Sequence, residues 1–393
     1  MRICYVLLSP TFGMHQYTAD LANRMALVGH PDPVQVHLVT TTRVPRCRYA
    51  PDVAIHTPVQ TTNTGFSPQA LRPSAIRHSL FAIRNLDPDV VHFTGPHLWN
   101  VPLVRSLAAQ GIPVVHTLHD LDPHRGAHYG VLLRLWNWLI LRSADHILVH
   151  GQTYRERLLA MGLPPDRVTW TPLLHLFLGG TRLEATSDLA TASSDPAASV
   201  EYQPWALFFG RLERYKGLDH LLTACAMMDG NGARSPRVVL AGPGDLASLW
   251  ADPLPPWLEL RNRLIEDQEA VGLFRRCGLL VLPYVDATQS ALIAAAYYFG
   301  KPVVVTRSGA LPEYVEDGRT GRLVEPDHPA ALARCLERML SDPARLARMG
   351  AAGRAWYDAR RAAEEWALIQ MYRQLAHKRP VVERIGQLSE QRT

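Results

Sequence analysis

The sequence predicts an α/β protein made of two Rossmann-like, doubly wound domains that face one another across a deep cleft. Short apolar runs alternate with segments of helical apolar spacing over roughly the first 170 residues, a pattern typical of a parallel sheet with helices on both faces. A stretch without period interrupts the pattern at 179–204, after which the alternation restarts. Ligands of such sheets lie beyond the carboxyl ends of the strands, so two facing domains predict one shared ligand cleft.

The elements follow from the apolar period along the chain. In the first half, strand-length apolar runs occur at 3–8, 34–40, 89–94, 113–118, 146–149 and 168–171, and helical spacing occurs near 17–28, 74–86, 101–109, 131–142 and 154–161. In the second half, strand-length runs occur at 206–209, 238–241, 279–282, 303–306 and 321–324, and helical spacing occurs near 218–228, 269–276, 291–299, 330–340, 345–357 and 362–376.

This order of elements defines the expected domains. We expect an N-terminal domain over 1–175, a flexible linker over 176–203 that is rich in small and polar residues, and a C-terminal domain over 204–358. The helix at 360–377 is expected to pack back on the N-terminal domain. Residues 378–393 are expected to form a loose tail.

Composition narrows the class of protein. The chain has 393 residues, too many for one ordinary core. Its 47% apolar and 20% charged residues are typical of a folded soluble protein. The net charge of +5 favours anionic partners, but no basic and aromatic cluster indicates nucleic acid. The five cysteines form no CxxC pair, and no apolar run resembles a signal peptide or a membrane span. We therefore expect a cytoplasmic protein.

The segment 205–219, WALFFGRLERYKGLD, joins a strand candidate to a helix candidate. The strand candidate ends at Gly210, Arg211 follows directly, and Lys216 stands at the start of the helix. A strand that leads into a helix N-terminus presents backbone N–H groups to an anion. With two cations added, the segment suits a diphosphate, such as the leaving group of an activated sugar. The alternative is a solvated pair beside a turn, with Glu213 as a local partner.

This segment and three others resemble the retaining glycosyltransferases of family 4, which have the GT-B fold. The others are SPTFGMHQYTADLANRMALVGH, PVVHTLHDLDP and GKPVVVTRSGALPEYVEDGRTGRLVEPDHPAAL, which are similar to the family's first glycine loop, its His-Asp turn and its C-domain segment. The resemblance implies an acceptor in the N-terminal domain and a nucleotide-sugar in the C-terminal domain. It implies that Arg211 and Lys216 hold the donor diphosphate and stabilise the charge that develops on it.

The chain departs from the commoner family pattern at 284–300, YVDATQSALIAAAYYFG. Counting back from the following Lys301-Pro302 places Ala287 and Ala295 where that pattern has two glutamates. The segment instead resembles a sub-branch with a Gln-Ser pair, found among surface-polysaccharide transferases. The polar donor-binding candidates are Asp286, Gln289 and Ser290. Ser290 could also cap a helix that begins at Ala291, leaving its first N–H groups for phosphate.

The remaining site candidates are placed by the resemblance. His119 and Asp120 follow a predicted strand at the mouth of the cleft, and His119 is expected to contact the transferred sugar or the acceptor. The alternative is a histidine satisfied by a turn carbonyl. Gly13, in the loop TFGMHQY, is expected to let backbone approach the donor phosphates or the acceptor. His15 and Tyr17 are expected to line the acceptor side. A tight turn without a ligand is the alternative reading of this loop.

Gly309 and Glu313 resemble the family's GGxPE turn, which lies near the nucleotide, although Glu313 could instead bond neighbouring backbone. The two DxD-like strings at 87–89 and 120–122 are not needed to hold a metal, because Arg211 and Lys216 can take that role. We therefore expect no required metal and no cofactor.

Together these features predict a glycosyltransferase that moves a sugar from a UDP- or GDP-linked donor to a glycan or lipid-linked acceptor with retention, in cell-surface or exopolysaccharide biosynthesis. The alternatives are a non-catalytic nucleotide-sugar-binding protein, favoured by Ala287 and Ala295, and a sugar-nucleotide epimerase or phosphorylase of the same fold. Trp136 and Trp138, with Arg134 and Arg142 nearby, are core residues by pattern. They could also mark a peripheral contact with the cytoplasmic face of a membrane.

Overall fold

The computed structural model describes residues 1–27, 33–61, 73–122, 130–176, 205–230, 237–250 and 252–378. The predicted linker and tail therefore lie, apart from Leu176 and Lys378, outside the described residues. In the first half the strands are β1 (Arg2–Leu7), β2 (Gln35–Thr41), β3 (Val53–Val59), β4 (Val90–Phe93), β5 (Val114–Thr117), β6 (His146–Val149) and β7 (Val168–Trp170). The helices are α1 (Phe12–Leu27), α2 (Pro73–Asn85), α3 (Asn100–Ala108), α4 (Gly130–Ser143) and α5 (Gln152–Ala160).

The second half repeats the plan. Its strands are β8 (Trp205–Phe209), β9 (Arg237–Ala241), β10 (Leu258–Arg261), β11 (Leu279–Leu282), β12 (Val303–Thr306) and β13 (Gly321–Val324). Its helices are α6 (Leu218–Gly230), α7 (Asp267–Arg276), α8 (Ala291–Tyr298), α9 (Pro329–Leu340) and α10 (Pro343–Lys378). The sheet orders are β3-β2-β1-β4-β5-β6-β7 and β10-β9-β8-β11-β12-β13, and all pairs of named strands are parallel. The predicted pair of doubly wound domains is confirmed.

The first sheet is covered on both faces, and β1 shows how its residues divide between them. Cys4 and Val6 pack with the apolar residues of α2 to α5. Ile3, Tyr5 and Leu7 point to the opposite face and join the cluster that includes α1 and the second domain. Strands buried on both faces read as continuous apolar runs, which is why these central strands were predictable.

Four elements differ from the sequence prediction. The strands β3 and β10 are not predicted because polar residues interrupt their apolar runs, which their partly exposed edge positions tolerate. Helix α1 begins at Phe12, so the predicted loop over 11–17 lies mostly within its first two turns. The two predicted C-terminal helices are one helix, α10. Its buried residues keep one stripe along the whole helix, and the polar run at 358–361 interrupts only the apolar pattern of the sequence. The first half packs on α8 and α9, and the second half contacts the N-terminal domain.

Helix α10 joins the domains through buried polar contacts. The Tyr372 hydroxyl lies 3.2 Å from the Tyr5 hydroxyl and 2.6 Å from His92 Nδ1. Arg361 pairs with Asp20 on α1. Burial alone would raise the pKa of Asp20, but the charges of Arg361 and Arg24 outweigh it and lower that pKa to about 2. Among the described residues, no helix is long and apolar enough to cross a membrane.

Candidate active site

The carboxyl end of the central strand β8 opens into a turn that carries Lys216. The chain passes Gly210, makes a 3₁₀ turn over Arg214–Lys216 and reaches Gly217, whose φ of +64° is in the left-handed region. A Cβ on Gly217 would lie 2.0 Å from the Pro283 carbonyl oxygen, so only glycine lets this turn pack against the end of β11. The packing holds Lys216 over the end of the sheet.

Lys216 is a buried cation. Its side chain packs beneath three aromatic rings, with Nζ 5.8 Å from the centroid of Phe208, 5.9 Å from Tyr215 and 5.6 Å from Tyr284. Burial, helped by the neighbouring charge of Arg211, lowers the pKa of Lys216 to about 8, although Glu213 acts in the opposite sense. No carboxylate of the described residues forms an ion pair with Nζ. The site therefore holds a positive charge that is short of a counter-ion.

The amine of Lys216 meets the start of helix α8 at Gly210. A Cβ on Gly210 would lie 2.9 Å from Lys216 Nζ and 3.9 Å from Leu292 Cδ1. Ser290 caps α8 as the sequence suggested, because its Oγ accepts a hydrogen bond from the Leu292 N–H at 3.4 Å. A buried ammonium and a helix N-terminus that begins at Ala291 thus converge on one point, an arrangement suited to phosphate.

Arg211 is placed differently from Lys216. Its side chain is 68% exposed and its guanidinium Nη1 lies 2.6 Å from Glu213 Oε1. The local pairing that the sequence offered as an alternative is therefore present. A diphosphate contact by Arg211 stays a prediction, and it requires the guanidinium to exchange Glu213 for the ligand.

The segment before α8 is held by the Gly309 turn. Gly309 has a φ of +51°, and a Cβ there would lie 1.6 Å from the Ala287 carbonyl oxygen. The Ala310 N–H donates to the Thr288 carbonyl at 3.0 Å. The two alanines that replace the family's glutamates, Ala287 and Ala295, are themselves buried. Gly309 thus sets the path of the backbone around Asp286 and Gln289, and a direct contact of Gly309 with donor stays a prediction.

Gln289 joins the two domains at the cleft. Its Nε2 donates to the His119 carbonyl at 3.1 Å. Its Oε1 is buried and has no hydrogen-bond partner among the described residues. An orphaned acceptor of this kind costs free energy unless it finds a donor. The structure therefore brings the predicted residues Gln289 and His119 together across the two domains.

His119 is a neutral imidazole in this arrangement. Burial lowers its pKa, and the effects of Thr94 and Asp120 do not offset this. Its Nε2 lies 2.9 Å from the Thr94 carbonyl oxygen, so Nε2 must carry the proton and Nδ1 is left as an acceptor. The ring packs edge-on against Tyr17, with centroids 5.0 Å apart. The turn-carbonyl alternative is thus correct for Nε2, and Nδ1 stays available for the predicted role.

The acceptor-side candidates on α1 lie deeper than expected. His15 is buried, with Nδ1 2.8 Å from the Tyr49 hydroxyl, and burial lowers its pKa to about 4. The Tyr17 hydroxyl lies 3.1 Å from Thr117 Oγ1, inside the core. The two side chains point to different neighbours, and an acceptor-side role for either stays a prediction. Gly13 is not enclosed in this way, because no atom lies within 4 Å of where its Cβ would stand.

Glu313 bonds across the domains. Its carboxylate accepts hydrogen bonds from the Gln152 N–H at 2.5 Å, the Thr153 N–H at 2.9 Å and the Thr153 hydroxyl at 2.6 Å, at the start of α5. It therefore caps a helix of the other domain, and a donor contact stays a prediction. Sequence reasoning missed this partner, although β6 followed by Gly151-Gln152-Thr153 is a recognisable helix start.

Two family models match the chain, one in each domain. A model described as Glycosyltransferase Family 4 matches residues 13–173, and one described as Glycosyl transferases group 1 matches residues 203–342. The chain is a GT4-like glycosyltransferase.

Individual relatives of this glycosyltransferase are distant. A D-inositol 3-phosphate glycosyltransferase of Streptomyces scabiei (strain 87.22) is 27% identical and aligns over 87% of this chain and 82% of its own length. The sucrose-phosphate synthase of Thermosynechococcus elongatus superposes with a TM-score of 0.65 at 19% identity, covering 95% of this chain and 99% of the other. HepE of Anabaena, in complex with UDP and glucose, gives a TM-score of 0.64 at 16% identity, covering 96% and 98%. These structures share the GT-B fold.

The DxD-like strings of the glycosyltransferase have structural partners. Asp89 accepts a hydrogen bond from the Arg2 N–H at 2.7 Å, and Asp122 pairs with Arg157 at 2.6 Å. Asp120 is half-buried, and its carbonyl accepts from Asn137 Nδ2 at 2.9 Å. Within the described part of the chain, no group of three or more histidine, cysteine or acidic residues is arranged to hold a metal ion.

Proposed function

We propose that this glycosyltransferase moves a hexosyl group from a UDP- or GDP-linked sugar to a glycan or lipid-linked acceptor, with retention of the anomeric configuration, in the synthesis of a cell-surface or exopolysaccharide. The observation that carries the proposal is Lys216, a buried ammonium that has no carboxylate partner in the described part of the chain and lies beside the capped start of α8 at Gly210. A diphosphate supplies the counter-ion that this charge lacks. HepE of Anabaena, of the same fold, binds UDP and glucose.

The residues then divide by role. Lys216 and the first N–H groups of α8 would hold the diphosphate, and Arg211 would join them by releasing Glu213. Asp286, Gln289 and the backbone set by Gly309 would face the transferred sugar. His119 and Asp120 lie on the side of the N-terminal domain, which would hold the acceptor.

The chemistry needs no carboxylate nucleophile. In a front-face reaction the bond between the anomeric carbon and the diphosphate oxygen breaks while the acceptor oxygen bonds to the same face of that carbon. The acceptor proton passes to the departing phosphate oxygen. Lys216 and Arg211 stabilise the negative charge that grows on the diphosphate, the kind of interaction whose loss costs about 10²–10³ in turnover. Retention rests on the family resemblance.

The test measures nucleotide release from UDP- and GDP-sugars with and without a glycan acceptor, in EDTA. Release that depends on acceptor supports transfer. Lys216→Ala and Arg211→Ala should each lower turnover by about two orders of magnitude or more. Lys378→Ala, which removes an exposed ammonium from the end of α10, is the matched control and should leave turnover unchanged. Near-normal activity of Lys216→Ala would overturn the proposal.

Ala287 and Ala295 favour a second candidate, a non-catalytic nucleotide-sugar-binding protein. Both are buried methyl groups where the commoner family pattern has carboxylates. In that case UDP or GDP would raise the melting temperature, and Lys216→Ala would abolish this shift, but no acceptor would release nucleotide. Conversion of the donor sugar without any acceptor would instead indicate an epimerase.

A further inference from the structure

Three neighbouring helices of the first domain carry charged side chains of one sign. Helices α2, α3 and α4 lie side by side on one face of the first sheet, with α3 between the other two. Their sequences contain no aspartate or glutamate. They carry exposed arginines, none of which forms an ion pair with a described carboxylate: Arg77, Arg84, Arg105, Arg134 and Arg142. We call this surface the α2–α4 face.

The same face exposes large apolar side chains. On α4, Val131 is 83% exposed, Leu135 52% and Trp138 46%, at the spacing that places them on one side of a helix. The Arg142 guanidinium lies 4.5 Å above the Trp138 ring. On α2, Phe81 is 66% exposed. Exposed apolar residues that are grouped, and not scattered singly, indicate an interaction surface.

The opposite side of α4 packs against the core of the domain. Trp136, Ile140 and Leu141 pack into the core beneath the helix. Of the two alternatives that the sequence left open for the tryptophans, Trp136 fits the first, because it packs in the core. Trp138 lies on the surface, where the second alternative would place it. The exposed apolar residues are therefore additional to what the domain needs for folding.

Apolar side chains among unpaired arginines match one kind of partner. An anionic phospholipid surface attracts arginine through its headgroups and takes up tryptophan, leucine and valine at the boundary with the acyl chains. A protein partner that paired all these arginines would need matching carboxylates at as many positions. We propose that the α2–α4 face docks this enzyme on an anionic membrane.

Docking there would bring the acceptor side close to the lipid. Asn137, on the inner side of α4, donates from Nδ2 to the carbonyls of Asp120 and Leu121, both at 2.9 Å. An α-helix is about 10–12 Å across with its side chains, so a bilayer touching α4 would lie about one helix diameter from the turn that carries His119. This inference rests on the proposed function only in naming a lipid-linked acceptor as the reason for docking.

The test is flotation of the full-length protein with vesicles of phosphatidylcholine alone and of phosphatidylcholine doped with phosphatidylglycerol. We expect binding to the anionic vesicles that weakens with salt. Arg134→Gln combined with Arg142→Gln should weaken it about 25-fold, about fivefold for each arginine. The control, Arg334→Gln with Arg338→Gln on exposed positions of α9, makes the same change of charge on the other domain.

The apolar contribution is tested by Trp138→Ser against Trp366→Ser, which alters a tryptophan that is 67% exposed on α10. Only Trp138→Ser should weaken binding to anionic vesicles. Failure of the wild type to float, or equal losses in the target and control variants, would overturn the inference. A cooperative thermal unfolding transition, followed by circular dichroism without ligand, shows that each variant is folded. Flotation without sugar transfer would leave the docking face standing and overturn the proposed function.

Discussion

Replacing Lys216 with methionine should make the protein more stable and nearly inactive. Burial holds the pKa of Lys216 near 8, against 10.5 for a free lysine. At pH 7 the folded state must keep a proton that it binds less tightly than the unfolded chain, which destabilises the fold by about 3 kcal/mol. The rings of Phe208, Tyr215 and Tyr284 return about 1 kcal/mol by cation–π attraction. Methionine removes both effects, so the net gain is about 2 kcal/mol.

The assay is equilibrium denaturation of the ligand-free protein at pH 7 and at pH 10. The gain from Lys216→Met should be present at pH 7 and shrink toward zero at pH 10. The sign follows because the folded pKa lies below the unfolded one, so the wild type gains stability as pH rises between about 8 and 10.5. Lys378→Met, at the exposed end of α10, provides the comparison.

Turnover of Lys216→Met should fall by about two orders of magnitude relative to wild type at pH 7. The difference should shrink at pH 10, where the wild-type amine is itself largely deprotonated. A variant that is less stable than wild type at pH 7 would refute the reasoning, because it would mean that Lys216 is stabilised by its surroundings without a ligand. A gain that does not depend on pH would mean that the methionine acts through packing alone.

Three further outcomes follow from the same structure. The dissociation constant of UDP, measured by calorimetry, should rise about tenfold per pH unit above about 8, because the diphosphate binds protonated Lys216 while its own phosphate, with a pKa near 6, stays ionised; a flat profile would contradict this. Gly309→Ala should lower the free energy of unfolding by about 3 kcal/mol, because its Cβ meets the Ala287 carbonyl oxygen; an unchanged melting curve would be inconsistent with this turn. Glu313→Gln should cost about 1 kcal/mol by weakening the cap of α5, whereas Glu316→Gln, in a surface pair, should cost little.

The fold was largely readable from the sequence because its central strands are buried on both faces. β6, β11 and β12, each paired on both sides in its sheet, begin and end where the apolar runs do. The edge strands β3 and β10 were not readable, since a strand with one solvated side tolerates His56 or Glu259 and loses the apolar run. The continuity of α10 was hidden for a related reason. The polar run at 358–361 interrupts the apolar pattern, although Arg361 is buried there by its pairing with Asp20.

The sequence predicted which residue types form the site, but it did not predict which of them contact one another. Lys216 and Ser290 occupy the places that strand end and helix start predict. The burial of His15 and Tyr17 depends on the elements that cover α1 on several sides, and their histidine and tyrosine types do not reveal that. The partners of Glu313 could not be predicted at all, because they lie about 160 residues away on another domain. The local pattern of a single sequence carries no information about such a distant contact.

The long helix α10 limits how far the two halves can be treated as interchangeable modules. The matched family regions end at residue 342, where α10 has not yet begun. Yet Tyr372, near its end, is the hydrogen-bond partner of Tyr5 and of His92 in the innermost layer of the N-terminal domain. A fragment or chimera cut at the domain boundary would leave those two groups buried without that partner, at a cost of about 1–3 kcal/mol each. The exchangeable unit is the N-terminal domain together with the distal half of α10, two pieces of chain joined only through the other domain.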